Sequence, residues 1–423
     1  MLENANGFVR LGDSARDARN WVEAREAYAQ AVQLDPSMDH IWVQYGHALK
    51  ETGHLREAES AYRSALVAAP EVSDTYLQLG HVLKLLGRRP EAATAYSKAL
   101  ELEPASKHAE NELRTLALDP VIAPLVANLA SGIGVDLSKQ LRCVIIGTTG
   151  ICNASCLHCP TGKLETDHVP RTPMQMALFE KIIRSLADGG YTIAIQMSFG
   201  LFGDGLLDPL VVERANLLRS VMPAVRLSVN TNGAAYNRDR HRPLIPYTSI
   251  LALHVESLVP AVYDKLMSPL RAERVFPKIE QLLEDFQGKV VVSIPASRLN
   301  KEELPAMRQY FLDRGALYVS FDRLSNRCRE DRTVFDSLSL GTPQPTRCSS
   351  GALKDLIIDC DGKVLICCND FQRLEPVGQL GQDSLADVMA SQRRLEIERM
   401  LNAGEWARIK TCNNCYADGA VKF

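Results

Sequence analysis

Five residue columns recur at an interval of 34 residues in the first quarter of the chain. The columns hold Gly12, Gly46 and Gly80; Ala24, Ala58 and Ala92; Tyr28, Tyr62 and Tyr96; Ala31, Ala65 and Ala99; and Pro36, Pro70 and Pro104. Small residues at fixed positions allow two helices to approach closely, and a tyrosine fills the space between neighbouring repeats. A helical unit of this size buries a continuous core only when about three or more copies stack.

The period and the residue types resemble the tetratricopeptide repeat. Matching repeats cover residues 5–38, 39–72 and 73–106, and the segments 106–118 and 121–134 are predicted to be a capping helix and one further helix. The sequence thus predicts an all-α repeat domain over residues 1–135. Such arrays bind peptides or proteins on a concave surface, so we expect a partner protein or a substrate carrier there. The alternative is packing against the catalytic region or a second subunit.

The composition is that of a globular protein. Of the 423 residues, 46% are hydrophobic and 23% are charged, and the net charge is -3. So small a charge gives no global field to attract nucleic acid or anionic membranes, and neither is an expected partner. The first residues lack a signal peptide, and no stretch approaches about 18 consecutive apolar residues. The expected location is the cytoplasm, where the eleven cysteines would be metal ligands or reactive thiols instead of disulfides.

Three cysteines, Cys152, Cys156 and Cys159, lie in a loop after the apolar segment 142–148, at the spacing C-x3-C-x2-C. Thiolates on a loop that follows a strand suit an iron–sulfur cluster. Three thiolates hold three irons of a 4Fe–4S cube and leave the fourth iron open to a substrate or cofactor. A zinc site is the alternative, but adjacent His158 and Cys159 are awkward for tetrahedral closure.

The cysteine spacing resembles that of the radical S-adenosylmethionine (SAM) superfamily. The resemblance implies that the amino and carboxylate groups of SAM chelate the open iron. It also implies that the cluster's electron breaks a carbon–sulfur bond to give a 5′-deoxyadenosyl radical. An electron donor such as flavodoxin or ferredoxin is the implied protein partner, and the His158 ring is expected near the adenine.

Other segments match this family in the expected order. Gly203–Asp204–Gly205 resembles the family's element that contacts the methionine amino group, although aspartate replaces the usual glutamate and glycine the usual proline; a plain loop is the alternative. Thr231–Asn232–Gly233 resembles an element near the ribose. The resemblance places Asn232, Ser293 and Arg298 with Gly203 and Asp204 among the cofactor-binding residues.

Strands alternate with helical segments over residues 136–330, which predicts βαβ units and a parallel sheet. About six units fit this length, and a partial (βα)6 barrel is the fold of the resembled family. Parallel barrels place their chemistry at the carboxyl ends of the strands. The motifs above all fall at such ends, which independently favours this α/β fold.

Residues 331–423 contain Cys348, the spacing Gly362-x4-Cys367 and a C-x2-C pair at Cys412 and Cys415. With these features the segment resembles the SPASM or "twitch" extension of the same superfamily, a small α+β domain. The resemblance implies that Cys348, Cys367, Cys412 and Cys415 close one auxiliary 4Fe–4S cluster. Cys368 is the alternative to Cys367, and structural zinc is the alternative to iron. The predicted cofactors are thus two 4Fe–4S clusters and SAM.

The predicted reaction is hydrogen abstraction from an unactivated carbon, followed by epimerisation if a thiol returns the hydrogen to the opposite face. The chain resembles radical sugar epimerases of antibiotic pathways such as that of avilamycin, which implies an oligosaccharide substrate. Cys328 is the candidate hydrogen donor, with Cys360 and Cys368 as alternatives. A peptide maturase, with the repeat array binding a leader peptide, is the second hypothesis. A repeat scaffold with a degenerate barrel is the third.

Overall fold

The structure is a computed structural model that describes residues 4–119 and 121–419. Three parts of the chain lie outside the described residues: residues 1–3 at the start of the predicted first domain, residue 120, and residues 420–423 at the end of the predicted third domain. The chain divides into two compact units, residues 1–139 and 140–423. None of the described helices combines the length and the hydrophobicity needed to cross a lipid bilayer.

The first unit is all helical in its described residues. Its helices are α1 (Ala5–Asp17), α2 (Trp21–Leu34), α3 (Asp39–Glu51), α4 (Leu55–Ala68), α5 (Ser73–Leu85), α6 (Arg89–Leu102), α7 (Lys107–Leu116) and α8 (Ala123–Gly132). Successive helices pair as antiparallel neighbours because only short turns join them. Helices α7 and α8 are the capping helix and the further helix predicted from the sequence.

The repeated glycines and tyrosines pack against each other within each repeat. A Cβ atom placed on Gly12 would lie 2.5 Å from Cε1 of Tyr28, and Gly46 and Gly80 face Tyr62 and Tyr96 in the same way. All three tyrosine rings are fully buried. The glycine column therefore exists because the ring occupies the volume that a side chain would need.

The second unit is built on one twisted sheet whose first six strands are parallel neighbours in sequence order. These strands are β1 (Gln140–Ile146), β2 (Thr192–Phe199), β3 (Leu227–Thr231), β4 (Ile250–His254), β5 (Val290–Ala296) and β6 (Tyr318–Arg323). The intervening helices are α9 (Met176–Asp188), α10 (Val211–Val221), α11 (Arg238–His241), α12 (Pro260–Leu266), α13 (Ala272–Asp285) and α14 (Leu304–Asp313).

Alternating burial along the strands shows why they form a sheet with a helical layer. In β5, Val290, Val292 and Ile294 are fully buried, whereas the residues between them are only partly buried. The buried side chains belong to one continuous core that also includes Phe179 of α9 and Ile279 of α13. Because β1 to β6 are parallel, their carboxyl ends meet at one edge, where the predicted motif loops begin.

The C-terminal region extends the same sheet. Its elements are α15 (Thr333–Leu338), β7 (Gln344–Pro345), β8 (Leu356–Ile358), β9 (Lys363–Leu365), β10 (Pro376–Gln379), α16 (Leu385–Met389), α17 (Gln392–Asn402), α18 (Lys410–Asn413) and β11 (Tyr416–Ala417). Strand β8 pairs in parallel with β1, and β9 and β10 follow as antiparallel strands. A hairpin joins β8 to β9, with Gly362 at a φ of 89° that favours glycine. Strands β7 and β11 form a separate pair.

Candidate functional site

A cavity of about 250 Å³ opens at the carboxyl ends of the parallel strands. Its lining includes Cys152, Cys156 and Cys159 from the loop after β1, together with residues that follow β2, β3 and β4. Cys368 and Phe371 of the C-terminal region complete the wall. The sheet topology therefore brings the predicted motifs to one enclosed space, as expected for the active end of a parallel α/β fold.

The loop that carries the three cysteines is held by backbone hydrogen bonds. The N–H groups of Ser155 and Leu157 donate to the carbonyl oxygens of Ser268 and Leu266, each at 2.7 Å. The Lys163 ammonium donates to the carbonyl oxygen of Cys156 at 3.0 Å. These contacts fix the loop across the segment that follows α12, so the thiols project into the cavity from a rigid frame.

Burial raises the pKa of two of the three thiols, Cys152 and Cys156. Burial, followed by the charge of Asp204, raises the pKa of the Cys152 thiol to about 12. Burial raises the pKa of Cys156 as well, and the charges of Glu256, Cys159 and Cys152 add to the effect. In the described residues, no three His, Cys, Asp or Glu side chains are gathered closely enough to hold one metal ion. The three thiols instead line a cavity, and iron would have to displace their protons on binding.

This donor set fits a 4Fe–4S cluster that leaves one iron free of protein ligands. Soft thiolates select iron–sulfur clusters and zinc, and three of them approach the cavity from a single loop. The cavity extends past the thiols to the ends of β2 and β3, which leaves room for a molecule beside the cluster.

Asp204 ties the loop after β2 to the loop after β3. The residue is 3% exposed, and its carboxylate accepts hydrogen bonds from the Leu206 N–H at 2.9 Å, the Thr231 hydroxyl at 2.9 Å and the Asn232 N–H at 2.8 Å. Burial raises the pKa of Asp204, while these hydrogen bonds oppose the increase. Asp204 lines the cavity as predicted, but much of its acceptor capacity serves the protein.

Gly203 lies where the loop after β2 crosses the cysteine loop. A Cβ atom at this position would come within 2.5 Å of the Thr149 carbonyl oxygen and 2.6 Å of the Ile151 carbonyl oxygen. The next residue, Asp204, donates its N–H to Ile151 at 2.8 Å. Glycine is required here because the two backbones are in contact.

Asn232 connects the end of β3 to the first cluster cysteine. Its side-chain amide donates to Asn153 Oδ1 at 2.8 Å and lies 3.9 Å from the Cys152 sulfur. Its Oδ1 accepts from the Ala234 N–H at 2.9 Å. The amide therefore positions the loop residue that follows Cys152.

His158 and Glu256 lie side by side in the cavity wall. Nδ1 of His158 is 3.4 Å from Glu256 Oε2, and both side chains are buried. Nδ1 has no hydrogen-bond partner among the described residues. A buried polar atom of this kind indicates a missing partner, either a water or a ligand.

The two remaining predicted cofactor contacts lie elsewhere. Ser293 on β5 donates its hydroxyl to Asp322 of β6, and Arg298 is exposed, with its backbone N–H bonded to Leu338. Neither residue belongs to the cavity lining. The structure supplies no contact that would favour their predicted roles.

The four predicted auxiliary cysteines are close enough to affect one another's ionisation. The pKa of Cys412 rises to about 12 through burial, with further contributions from Cys415 and Cys348. Burial also raises the pKa of Cys348, to which Cys415 contributes. A hydrogen bond with Cys368, followed by burial, raises the pKa of Cys367, and Cys415 adds a smaller contribution. The four thiols and Cys368 therefore lie close together.

The position of Cys328 differs from the one expected of a hydrogen donor. We expected its thiol to face the barrel mouth, but Cys328 is 3% exposed, contacts Cys415 and is not part of the cavity lining. The thiol that does line the cavity is Cys368, which packs with Cys159 against Phe202 and Phe371. The other alternative, Cys360, is buried and faces the Pro170 carbonyl oxygen at 3.5 Å.

Glu256 and Arg327 are cavity residues that the sequence did not identify as functional. Glu256 follows β4, so the rule that parallel strands gather functional residues at their carboxyl ends could have found it. Arg327 donates to Asn369 Oδ1 at 3.0 Å and has a buried Nε without a partner in the described chain. No local sequence pattern indicates Arg327, because its position depends on packing against the distant C-terminal region.

Comparisons with known protein families match two parts of the chain. Residues 348–416 match the family model SPASM, described as an iron–sulfur cluster-binding domain. Residues 348–416 form a SPASM domain. Residues 15–78 and 73–106 match two tetratricopeptide repeat models. The predicted fold class is therefore confirmed: a helical tetratricopeptide array, a parallel α/β region, and a C-terminal SPASM domain.

Solved structures give weaker likenesses. BtrN in complex with AdoMet and 2-DOIA is 17% identical, with a TM-score of 0.47, over 65% of this chain and 92% of that chain. The anSMEcpe structure with bound AdoMet is 13% identical, with a TM-score of 0.46, over 64% of this chain and 89% of that chain. The OM64 TPR domain of Arabidopsis is 25% identical, with a TM-score of 0.26, over 26% of this chain and 93% of that chain. No curated protein matches the chain.

Proposed function

We propose that the chain is a radical SAM enzyme. The observation that carries the proposal is the convergence of Cys152, Cys156 and Cys159 on one cavity with the loops after β2 and β3. A reduced 4Fe–4S cluster with SAM supplies, when bound, a 5′-deoxyadenosyl radical that removes a hydrogen atom from an unactivated carbon. The iron–sulfur assignment of the adjoining SPASM domain agrees with this chemistry.

The protein's part in this reaction is to hold and orient. The three thiols would bind the cluster as thiolates, and Gly203 lets the loop after β2 lie against the cluster loop. Asp204 fixes the turn at Thr231 and Asn232, so the two loops move as one body. His158 lines the cavity, and its buried Nδ1 beside Glu256 has no hydrogen-bond partner among the described residues, which suits a hydrogen bond with a bound molecule.

We further propose that the reaction is the epimerisation of a sugar carbon in an oligosaccharide, with Cys368 as the hydrogen donor. The support is the position of this thiol, which lines the same cavity as the cluster cysteines. The Cys368 S–H bond breaks as its hydrogen atom forms the new C–H bond of the substrate, and a thiyl radical remains. One electron from a flavodoxin-type or ferredoxin-type donor and one proton from solvent restore the thiol.

Polar side chains in the cavity suit a hydroxyl-rich substrate. Glu256 accepts hydrogen bonds, Arg327 donates them, and the aromatic edge of Phe371 gives an apolar contact for a sugar ring. Such a mixed lining is typical of small-molecule sites.

The experiment has two stages. Anaerobically reconstituted protein with SAM and strong reductant should release 5′-deoxyadenosine; no release would contradict the radical SAM proposal. With candidate oligosaccharides, the product should have unchanged mass in water and gain one deuterium in deuterated water. Cys368→Ala should then form 5′-deoxyadenosine without inversion, whereas Cys143→Ala, which alters a thiol on β1 outside the cavity, should invert normally. Normal inversion by Cys368→Ala would exclude Cys368 as the donor.

The repeat array supports a second candidate function, peptide maturation with the array holding a leader peptide. Each repeat places a cation in the last turn of its first helix: Arg16, Lys50 and Lys84. Each cation is ion-paired with a nearby carboxylate, which an acidic peptide would have to displace. A periodic row of this kind suits an extended peptide with acidic residues. A small precursor peptide retained by the wild type, and lost from Lys50→Ala and Lys84→Ala, would favour this function; inversion of a free oligosaccharide would oppose it.

A further inference from the structure

The segment after β6 is bound to the segment that carries the last two cysteines. The Asp418 N–H donates to the Leu324 carbonyl oxygen at 2.9 Å, and the Asn326 N–H donates to the Tyr416 carbonyl oxygen at 3.0 Å. The Asn326 side chain donates to the Asn414 carbonyl oxygen at 2.6 Å and accepts from the Tyr416 N–H at 2.9 Å. These bonds hold residues 324–328 against residues 414–418.

A strained turn places Cys328 within this contact. Arg327 and Cys328 have φ angles of 53° and 58°, in the left-handed region that residues other than glycine seldom adopt. The Cys328 N–H is held by Asn326 Oδ1 at 3.3 Å. Strain of this kind persists only where the surrounding structure imposes it. Here it keeps a buried thiol in contact with the Cys415 sulfur.

Cys328 is surplus to the ligands that an auxiliary cluster needs. Cys348, Cys367, Cys412 and Cys415 already provide four thiolates, and their spacing places them in the SPASM domain. Cys328 lies outside that domain, at the end of the barrel, and approaches the group from the side of Cys415 and Cys367. A protonated thiol beside a ligating thiolate is a hydrogen-bond donor.

We propose that the Cys328 S–H donates a hydrogen bond to the Cys415 thiolate of the auxiliary cluster and thereby raises the cluster's reduction potential. Hydrogen bonds to cluster sulfurs stabilise the more negative, reduced state, and such contacts are among the factors that set the potential. Cys328 is then a positioning residue that couples the end of β6 to the electronic state of the auxiliary cluster. The inference rests on the auxiliary cluster of the proposed function and is independent of the substrate.

The test uses the full chain with Cys152, Cys156 and Cys159 all replaced by alanine, so that iron reports the auxiliary cluster alone. A redox titration followed by electron paramagnetic resonance gives the potential. Cys328→Ala should keep the iron and shift the potential to more negative values. Cys328→Ser retains a hydrogen-bond donor, so its reduction potential should stay near that of the parent. The control Cys143→Ala should also keep the parent's reduction potential.

A second measurement does not depend on how well the alanine variant folds. Electron–nuclear double resonance of the parent in water and in deuterated water should detect an exchangeable proton coupled to the cluster, kept in Cys328→Ser. Loss of the iron in Cys328→Ala and Cys328→Ser alike would make Cys328 a ligand and overturn the inference. An unchanged potential in Cys328→Ala, or no coupled proton in the parent, would also overturn it. A parent without iron would instead refute the auxiliary cluster itself.

Discussion

The carboxylate of Asp204 accepts a hydrogen bond from the backbone N–H of Asn232 at 2.8 Å, which joins the ends of β2 and β3 beneath the cavity. The bond is buried, and the same carboxylate also accepts from Thr231 and Leu206. Two loops that are distant in sequence therefore share one acceptor. Their geometry depends on the charge and shape of a single side chain.

Replacement of Asp204 should show this dependence. Asp204→Ala leaves three buried donors without an acceptor, and we expect a loss of about 3 kcal/mol in the free energy of unfolding. Asp204→Asn should be nearly as harmful, because its amide N–H₂ faces donors. Denaturant unfolding measures the effect, and Asp167→Ala, an exposed position, is the control. An asparagine variant with wild-type stability would contradict the assigned hydrogen bonds.

Gly203→Ala should separate the loop after β2 from the cysteine loop. The added methyl group meets two carbonyl oxygens, and overpacking of this kind costs about 2 kcal/mol. We expect weaker SAM binding and less iron retained at the first site, measured by equilibrium binding and metal analysis. Gly132→Ala is the matched control, because nothing lies within 4 Å of its Cβ position. If Gly203→Ala and Gly132→Ala bound SAM and retained iron equally well, the close approach between the loop after β2 and the cysteine loop would be refuted.

The two cysteine groups should hold iron independently. Alanine at Cys152, Cys156 and Cys159 should remove about half of the iron bound by the wild type, and alanine at Cys412 and Cys415 should remove the other half. Metal analysis and Mössbauer spectroscopy of reconstituted protein provide the measurement, with Cys143→Ala as the control. Complete loss of iron from either folded variant would indicate one shared site, and zinc in place of iron would support the alternative ligand.

His241 should make stability depend on pH. It is fully buried, its Nδ1 accepts from the Asn237 N–H at 3.0 Å, and its Nε2–H donates to the Leu206 carbonyl oxygen at 3.1 Å. These bonds require the neutral ring, and burial, with Arg240 nearby, lowers the pKa of His241 to about 4. Because the folded-state pKa lies below the ordinary value of about 6.5, the unfolded chain binds the proton first.

The contribution of His241 is therefore full above about pH 6.5 and is lost as the pH falls towards 4. Unfolding free energies measured across this range should fall more steeply in the wild type than in His241→Gln. His108→Gln, at an exposed position, should run parallel to the wild type. Parallel curves for wild type and His241→Gln would mean that folding does not lower the pKa of His241, and would contradict the assigned hydrogen bonds.

The sequence was sufficient to predict those parts of the fold and site that depend on local patterns. The columns led by Gly12 and Tyr28 fix the repeat because a single ring–backbone contact recurs in each unit. The strands were predictable because they are apolar segments that alternate with helical segments along the chain, as β5 does between α13 and α14. Gly203, Asp204 and Asn232 were found through their resemblance to elements of the radical SAM family, and parallel strands bring the loops that carry them together.

The site was less predictable where it depends on contacts across the chain. Cys328 was expected at the cavity because it follows β6, but the hydrogen bonds of Asn326 to residues 414 and 416 turn it towards Cys415. Cys368 lines the cavity because Phe371 packs on Phe202, with ring centroids 4.9 Å apart. Neither contact has a periodic or local pattern, so spacing alone gives no signal for them.

The parallel pairing of β8 with β1 has a consequence for engineering. Cleavage of the chain near residue 335 would expose the edge of β1, the strand that leads into the first cysteine loop, and would remove Asp355, the ion-pair partner of Arg142. The barrel and the SPASM domain should consequently melt in one cooperative transition. A chimera with a foreign C-terminal domain would need a donor strand matched to β1 in register before it could bind any metal.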